Sequence, residues 1–180
     1  MRSASSGTGQ AVPDAGSGAA QRFGAAVWAV TRVAIGFVFL WAFLDKVFGL
    51  GKSTPSERAW LNGGSPTTGY LSNVDGPFGG FFNAMAGQAW ADWLFMVGLL
   101  GVGVALILGI GMWIAAVSGS LLLVFMWMAS LPIATNPFLD DHLVYALVLI
   151  GLAATGAGLR YSLAGWWTSL PPVRRRRWLH

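Results

Sequence analysis

One arginine interrupts a long apolar run near the start of the chain. Arg32 lies in the stretch TRVAIGFVFLWAFLDK, residues 31 to 46. A guanidinium costs about 2.5 to 3.5 kcal/mol near the centre of a membrane helix, and its five N–H donors need acceptors or water there. Trp28 and Phe39 share the face of Arg32 if the stretch is helical. This face therefore predicts either a contact between helices or a binding site for an apolar ligand.

The helix that carries Arg32 offers it no acidic partner, because Asp45 points away from its face. The remaining acceptors are the hydroxyls of Ser118, Ser120 and Thr155, backbone carbonyls of other helices, or a ligand. Two interpretations remain open. Arg32 is a hydrogen-bonded clamp between helices, or it binds a ligand together with Trp28 and Phe39.

A second group of polar residues lies in NPFLDDHLVY, residues 136 to 145. Asp140 or Asp141 can accept hydrogen bonds from the free amides at the start of a helix, and this capping role is their simplest interpretation. His142 and Tyr145 then lie one turn apart on one face, where both can exchange protons. We expect no metal site here, because consecutive helical residues diverge by about 100° and no second histidine follows four residues later.

The composition indicates which elements hold these residues. Of the 180 residues, 55% are hydrophobic and 10% are charged, which leaves too little polar surface for a soluble domain of this size. The apolar residues form blocks of about 20, the length that crosses a bilayer core. We predict an all-α, integral membrane four-helix bundle with a long outer loop between helices 1 and 2. The predicted spans are residues 23 to 44, 93 to 111, 112 to 131 and 142 to 159, with a tight turn at Gly109-Ile110-Gly111.

Small residues predict where these spans pack, because membrane helices associate through close backbone approach. The predicted contact faces are Gly98, Gly101, Ala105 and Gly109 on helix 2, Ala115, Ala116, Gly119 and Ser120 on helix 3, and Gly151, Thr155 and Gly158 on helix 4. In the outer loop, Phe78, Phe81, Phe82, Met85 and Ala89 recur at helical spacing. They predict a short amphipathic helix over the bundle.

Positive charges predict the orientation, since loops rich in Lys and Arg stay in the cytoplasm. Seven of these residues lie on the side of the termini and three on the other, with Arg32 set aside. Both termini are therefore expected to be cytoplasmic. Residues 1 to 22 would be a disordered tail, residues 23 to 167 the transmembrane domain, and residues 168 to 180 a basic tail. The four arginines at 174 to 177 would contact anionic membrane lipid, and the net charge of +4 requires no nucleic acid.

The chain has no cysteine, which excludes disulfides, thiolate metal sites and thiolate chemistry. Any electron transfer would therefore need a bound organic cofactor or a partner protein.

Four motifs follow one another along residues 28 to 163, approximately. They are TRVAIGFVFLWAFLDKVFGLG, NGGSPTTGYL, GPFGGFFNAMAG and DDHLVYALVLIGLAATGAGLRYSL. In this order they resemble the DoxX/DoxD family of bacterial membrane proteins, especially its DoxD-like branch. The resemblance implies a four-helix bundle in the bacterial plasma membrane and the large subunit of a thiosulfate:quinone oxidoreductase, which works with a small companion subunit. Arg32, Asp141, His142 and Arg160 fall within the family-like stretches.

We therefore expect a membrane subunit of a quinone-linked oxidoreductase, with quinone as the cofactor and thiosulfate as the implied electron donor. Arg32, His142 and Tyr145 are the expected catalytic residues, and Arg32, Trp28 and Phe39 the expected cofactor-binding residues. The alternative is a non-catalytic membrane anchor or assembly subunit for soluble redox proteins. An enzyme needs an open pocket at Arg32 or His142, whereas an anchor can bury both in satisfied contacts.

Overall fold

The computed structural model describes residues 15 to 134, 136 to 156, 158 to 176 and 179. All regular structure in these residues is helical, as predicted. The helices are α1 (Ala15–Phe48), α2 (Thr68–Leu71), α3 (Gly79–Met85), α4 (Ala89–Leu108), α5 (Met112–Ala129), α6 (Asp141–Thr155), α7 (Ala164–Ser169) and α8 (Pro171–Arg174). Three 3₁₀ turns lie at Ser56–Arg58, Trp60–Asn62 and Leu159–Tyr161.

Three of these helices are long and apolar enough to cross a membrane, which fits a multi-pass membrane protein. They are α1, α4 and α5. Helix α6 is also apolar, but it has only 15 residues, about 22 Å at 1.5 Å per residue. It is shorter than the predicted span of residues 142 to 159, because Gly156 adopts a left-handed φ of 61° and ends it.

Helix α1 begins at Ala15, eight residues before the predicted span begins at residue 23. Residues 15 to 22, expected in the disordered tail, are therefore helical, since their sequence AGSGAAQR is rich in the strong helix former alanine. The rest of that predicted tail lies outside the described residues. Below, the end of the molecule that carries residues 49 to 88 is called the loop side, and the opposite end the tail side.

The tight turn predicted between the second and third spans is confirmed. Helix α4 ends at Leu108 and α5 begins at Met112. Gly109 and Gly111 have φ values of 69° and 55°, a left-handed conformation that glycine adopts without steric cost. The two helices consequently form an antiparallel hairpin on the tail side.

Helix α1 packs on α4, and α5 packs on α6. The first pair meets through Gly36 and Gly103. A Cβ on Gly103 would lie 2.8 Å from the backbone nitrogen of Leu40, and a Cβ on Gly36 would lie 2.9 Å from Leu106 Cβ. The two backbones therefore approach so closely that a Cβ at either glycine would clash.

The predicted contact face is right for α5 and wrong in part for α4 and α6. Ala115, Ala116 and Gly119 are buried. In contrast, Gly101 and Gly151 have no atom within 4 Å of a Cβ placed on them. Sequence spacing shows which residues share a face of a helix but not which face is buried. On α4, the face of Gly103 contacts α1.

Candidate functional site

Arg32 is fully buried, with 0% of its surface exposed. Its Nη1 donates to the backbone carbonyls of Leu106 and Ile107, the latter at 2.9 Å. Its Nη2 donates to the carbonyl of Tyr161 at 2.9 Å. The carbonyls in the last turn of α4 have no partner within that helix, and the negative end of the helix dipole favours a cation. Arg32 thus joins α1 to the end of α4 and to the 3₁₀ turn at Leu159–Tyr161.

Residues 158 to 163 close over this arginine. Gly158 lies against α1, since a Cβ on it would be 2.6 Å from the backbone nitrogen of Ala29. The amide of Leu163 donates to the carbonyl of Leu108 at 2.9 Å. Only Nε of the Arg32 guanidinium is buried without a hydrogen-bond partner among the described residues. This group of contacts is called the Arg32 clamp.

The sequence left hydroxyls, backbone carbonyls or a ligand as possible acceptors for Arg32. In the structure its acceptors are backbone carbonyls. The three candidate hydroxyls bond elsewhere: Ser118 to Ile114 O at 2.7 Å, Ser120 to Ala146 O at 3.2 Å and Thr155 to Gly151 O at 2.7 Å. Phe39 is buried in the apolar core, whereas Trp28 is 45% exposed. Their proposed role in binding a cofactor stays a prediction.

Asp140 caps helix α6, as predicted. Its Oδ1 accepts from the amide of Leu143 at 3.3 Å, and its Oδ2 lies 2.7 Å from His142 Nδ1. Burial of this carboxyl acts to raise its pKa, but the hydrogen bonds from His142, Leu143 and Ser130 outweigh burial and leave the pKa lowered. The carboxylate form is therefore stabilised at neutral pH.

Asp140, Asp141 and His142 bring one potential ligand atom each within 4.8 Å of one another. The divergence of about 100° between consecutive helical residues does not apply to this group, because Asp140 precedes helix α6 and has an extended φ of −132°. The side chain of Asp141 is 71% exposed and its Oδ1 lies 3.6 Å from His142 Nδ1, whereas the contact of Asp140 with His142 belongs to the helix cap. Tyr145 lies on the same helix, partly buried against the apolar core.

A cavity of about 340 Å³ lies on the loop side, between α4, α5 and the short helices α2 and α3. It is lined by Lys46, Pro66, Thr67, Tyr70, Leu71, Phe82, Met85, Ala91, Leu94, Phe95, Gly98, Ser118, Leu121, Leu122, Phe125, Met126 and Ala129. Among these residues Lys46 alone is charged, and three carry hydroxyls. This space, called the Lys46 cavity, was not predicted from the sequence.

Lys46 has no carboxylate within ion-pair distance among the described residues. Its Nζ lies 6.0 Å from the ring centroid of Phe95, a cation–π contact. The neighbouring Asp45 is 1% exposed, but its carboxylate is occupied. It accepts from the amide of Lys52 at 3.2 Å and from the amide and hydroxyl of Ser53 at 3.1 and 2.6 Å.

Residues 65 to 87 form the roof of the Lys46 cavity. Asp92, in the first turn of α4, fastens this roof. Its Oδ1 accepts from Ser65 Oγ at 2.8 Å, from Thr67 N at 3.0 Å and from Thr67 Oγ1 at 2.6 Å. Phe81 and Phe82 of the roof pack against Phe125 of α5, with ring centroids 6.5 Å apart in each pair. The amphipathic helix predicted from Phe78 to Ala89 is present in part as α3, which ends at Met85, whereas Ala89 is the first residue of α4.

The cavity opens toward the molecular surface between α4 and α5. Leu94 and Leu121, which line it, are 66% and 54% exposed. If α4 and α5 span a bilayer, lipid surrounds this opening. On the roof, burial and the charge of Asp140 raise the pKa of Tyr70, so its phenol remains a protonated donor at neutral pH.

The sequence did contain a signal for this cavity. Lys46 ends an apolar helix, and the motif NGGSPTTGYL supplies hydroxyls soon afterwards. A count of charges along the sequence treats Lys46 like Lys52 and Arg58, the other two positive residues of the loop side, and so does not reveal the cavity. Their different surroundings arise only in the folded chain, where Lys46 is partly buried and Lys52 is exposed.

Comparisons with protein-family models, with curated proteins and with solved structures find no match to this chain. The resemblance to the DoxX/DoxD family therefore stays a prediction from the four motifs.

Proposed function

We propose that this chain is a multi-pass membrane subunit of a quinone-linked oxidoreductase and that the Lys46 cavity holds the quinone ring. The observation that supports this most is the cavity itself, which combines apolar walls with the ammonium group of Lys46 and the phenol of Tyr70. Sites for small lipophilic cofactors have this composition, with volumes from about 300 Å³ upward and a few polar groups that fix orientation. Its opening between two apolar helices offers a lipophile a route from the bilayer.

Reduction of a bound quinone takes two electrons and two protons, and negative charge develops on its oxygens. Lys46 is placed to donate a hydrogen bond to such an oxygen and to stabilise that charge. Tyr70 remains protonated and supplies a second donor. The chain has no cysteine, so the electrons come directly from a donor such as thiosulfate or through a partner protein. His142, partly exposed, keeps its proposed role in proton exchange with water on the loop side.

In this arrangement the cofactor site lies at Lys46 and not at Arg32. Three carbonyls occupy the guanidinium of Arg32, and its contacts lie at the tail-side ends of α4 and α6. Arg32 then supports the site by fixing the packing of α1 against α4. Trp28 and Phe39 lose their proposed part in cofactor binding under this reading.

For the placement in the bilayer, we propose a four-helix membrane bundle in which α6 is the fourth crossing, shortened by Gly156. The packing of α6 on α5 supports this arrangement. Both termini would lie in the cytoplasm of a bacterium, where the exposed arginines 174 to 176 meet anionic lipid. Residues 49 to 88 would then form the outer face.

The second candidate function is a non-catalytic anchor or assembly subunit for a soluble redox protein or a small companion subunit. One observation favours it, namely that Arg32 and Asp140 are both engaged in structural hydrogen bonds. Under this reading the exposed roof and the C-terminal arginines are the surfaces that meet the partner.

A single purification separates the two functions. The full chain is purified in mild detergent, bound quinone is extracted, and thiosulfate-dependent quinone reduction is measured. We expect bound quinone in the native protein and its loss in Lys46→Met. Lys52→Met is the matched control, because it removes an equal charge from an exposed site outside the cavity. Absence of both quinone and turnover would leave the anchor as the function.

A further inference from the structure

Among the described residues, no carboxylate lies within ion-pair distance of the Lys46 ammonium group. The carboxylate of Asp45 is the adjacent anion, and three donors from residues 52 and 53 already occupy its oxygens. Phe95 offers only the face of its ring. An ammonium beside apolar walls gains more from an anion than one in water does, because the effective dielectric constant is lower there.

From this placement, we infer that the Lys46 cavity selects lipophilic molecules whose head carries an anionic oxygen. The head lies at Lys46, beneath the roof, where Thr67 and Tyr70 also line the cavity. The inference rests on the proposed function only in using the same cavity. It adds that the negative charge of the head, and not its ring, is the feature that the protein recognises.

The apolar body of the ligand follows helix α5. The lining of the cavity runs along this helix from Ala129 to Ser118, a length of about 16 Å at 1.5 Å per residue. Gly98 stands opposite on α4, and a Cβ placed there would lie 3.2 Å from Leu122 Cδ1. The body therefore lies along the cavity lining of α5 and beside Gly98, and any longer tail leaves through the opening beside Leu94 and Leu121.

Two kinds of molecule have the required chemistry, a hydroxylated quinone in its ionised form and a long-chain carboxylate. Each has a neutral analogue of nearly the same shape. The pairs are a 2-hydroxy-3-alkyl-1,4-naphthoquinone with its 2-methoxy ether, and dodecanoate with dodecanol. Within a pair, the ratio of affinities isolates the contribution of the charge.

The test is equilibrium dialysis of the four probes against the full chain in a non-ionic detergent at pH 7, with protein-free micelles subtracted. We expect each anionic member to bind about tenfold or more tightly than its neutral analogue, the range of a hydrogen bond to a charged group. Lys46→Met and Lys46→Gln should abolish this ratio, whereas Lys52→Met should keep it. Gly98→Leu should weaken all four probes, because it narrows the path of the apolar body.

The outcomes distinguish this inference from the proposed function. Equal binding of charged and neutral members, unaffected by Lys46→Met, would overturn the inference, while quinone-dependent turnover would keep the proposed function. Binding of dodecanoate that depends on Lys46, with no binding of either quinone, would support the inference and overturn the proposed function. Failure of all four probes to bind would overturn both.

Discussion

Arg32 and Lys46 are two cations on one helix, and their surroundings are opposite. Arg32 is fully buried and donates to three backbone carbonyls. Lys46 is partly buried and faces an aromatic ring and a cavity. The difference shows that a charge within an apolar run is held by hydrogen bonds where the fold supplies acceptors, as for Arg32. Where the fold supplies none among the described residues, as for Lys46, the charge faces a cavity. Substitutions at either cation, or in the residues around it, test this difference.

The largest expected effect is at the clamp. Arg32→Leu leaves the carbonyls of Leu106, Ile107 and Tyr161 without their donor, and each buried orphan costs about 1 to 3 kcal/mol. We expect the free energy of unfolding to fall by about 3 kcal/mol, as measured by SDS titration in mixed micelles. Lys46→Met is the matched comparison and should change it by less than about 1 kcal/mol. Similar losses in both variants would remove the distinction between the two cations.

A second test concerns the packing that the clamp secures. In Gly103→Ala the new Cβ would meet the backbone nitrogen of Leu40 at 2.8 Å, which a backbone atom cannot avoid by rotating. We expect a loss of about 1 to 3 kcal/mol in the same titration. Gly101→Ala, on the open face of the same helix, should instead stabilise by up to about 1 kcal/mol. The reverse order would place the contact face on Gly101.

A third test addresses the roof over Lys46. Asp92→Ala removes the acceptor of Ser65 and Thr67, and the loss of these bonds should cost about 1 to 2 kcal/mol of local stability. Amide hydrogen exchange of residues 65 to 87 should then accelerate about tenfold or more, with little change in α5 and α6. Asp75→Ala, in an exposed part of the same segment, serves as the control. Unchanged exchange would mean that the apolar contacts alone hold the roof.

The smallest expected effect is a dependence on pH at the start of α6. The pKa of Asp140 is lowered in the folded protein, so its contribution to stability is complete at neutral pH. That contribution disappears as pH falls below the ordinary aspartate value of about 4 and through the folded pKa. Thermal unfolding midpoints between pH 7 and pH 3 should therefore fall less in Asp140→Asn than in the native chain. Parallel curves would contradict a role for this carboxylate in acid stability.

The sequence was sufficient for features that depend on local chemistry. Apolar blocks predicted α4 and α5, the Gly109-Ile110-Gly111 sequence predicted their turn, and the acidic pair predicted the cap of α6. It also predicted that Arg32 needs acceptors from outside its own helix. In each case neighbouring residues contain the information, because the responsible interactions span a few positions.

Features that depend on the ends and rotations of other helices could not be predicted. The acceptors of Arg32 are backbone carbonyls, which every residue has, and only the position where α4 stops makes two of them available. The same limit applies to Lys46, whose cavity exists because α2 and α3 fold back over α4 and α5. No spacing within α1 distinguishes Arg32 from Lys46.

The Arg32 clamp also has a consequence for synthesis on the ribosome. The last acceptor of the guanidinium, the carbonyl of Tyr161, lies 129 residues after Arg32 in the chain. At about 5 to 20 residues per second, it emerges roughly 6 to 26 seconds later. The carbonyls of Leu106 and Ile107 are available earlier, since they lie 74 and 75 residues after Arg32. The clamp is therefore assembled in two steps, and its last hydrogen bond can form only after residue 161 has been made.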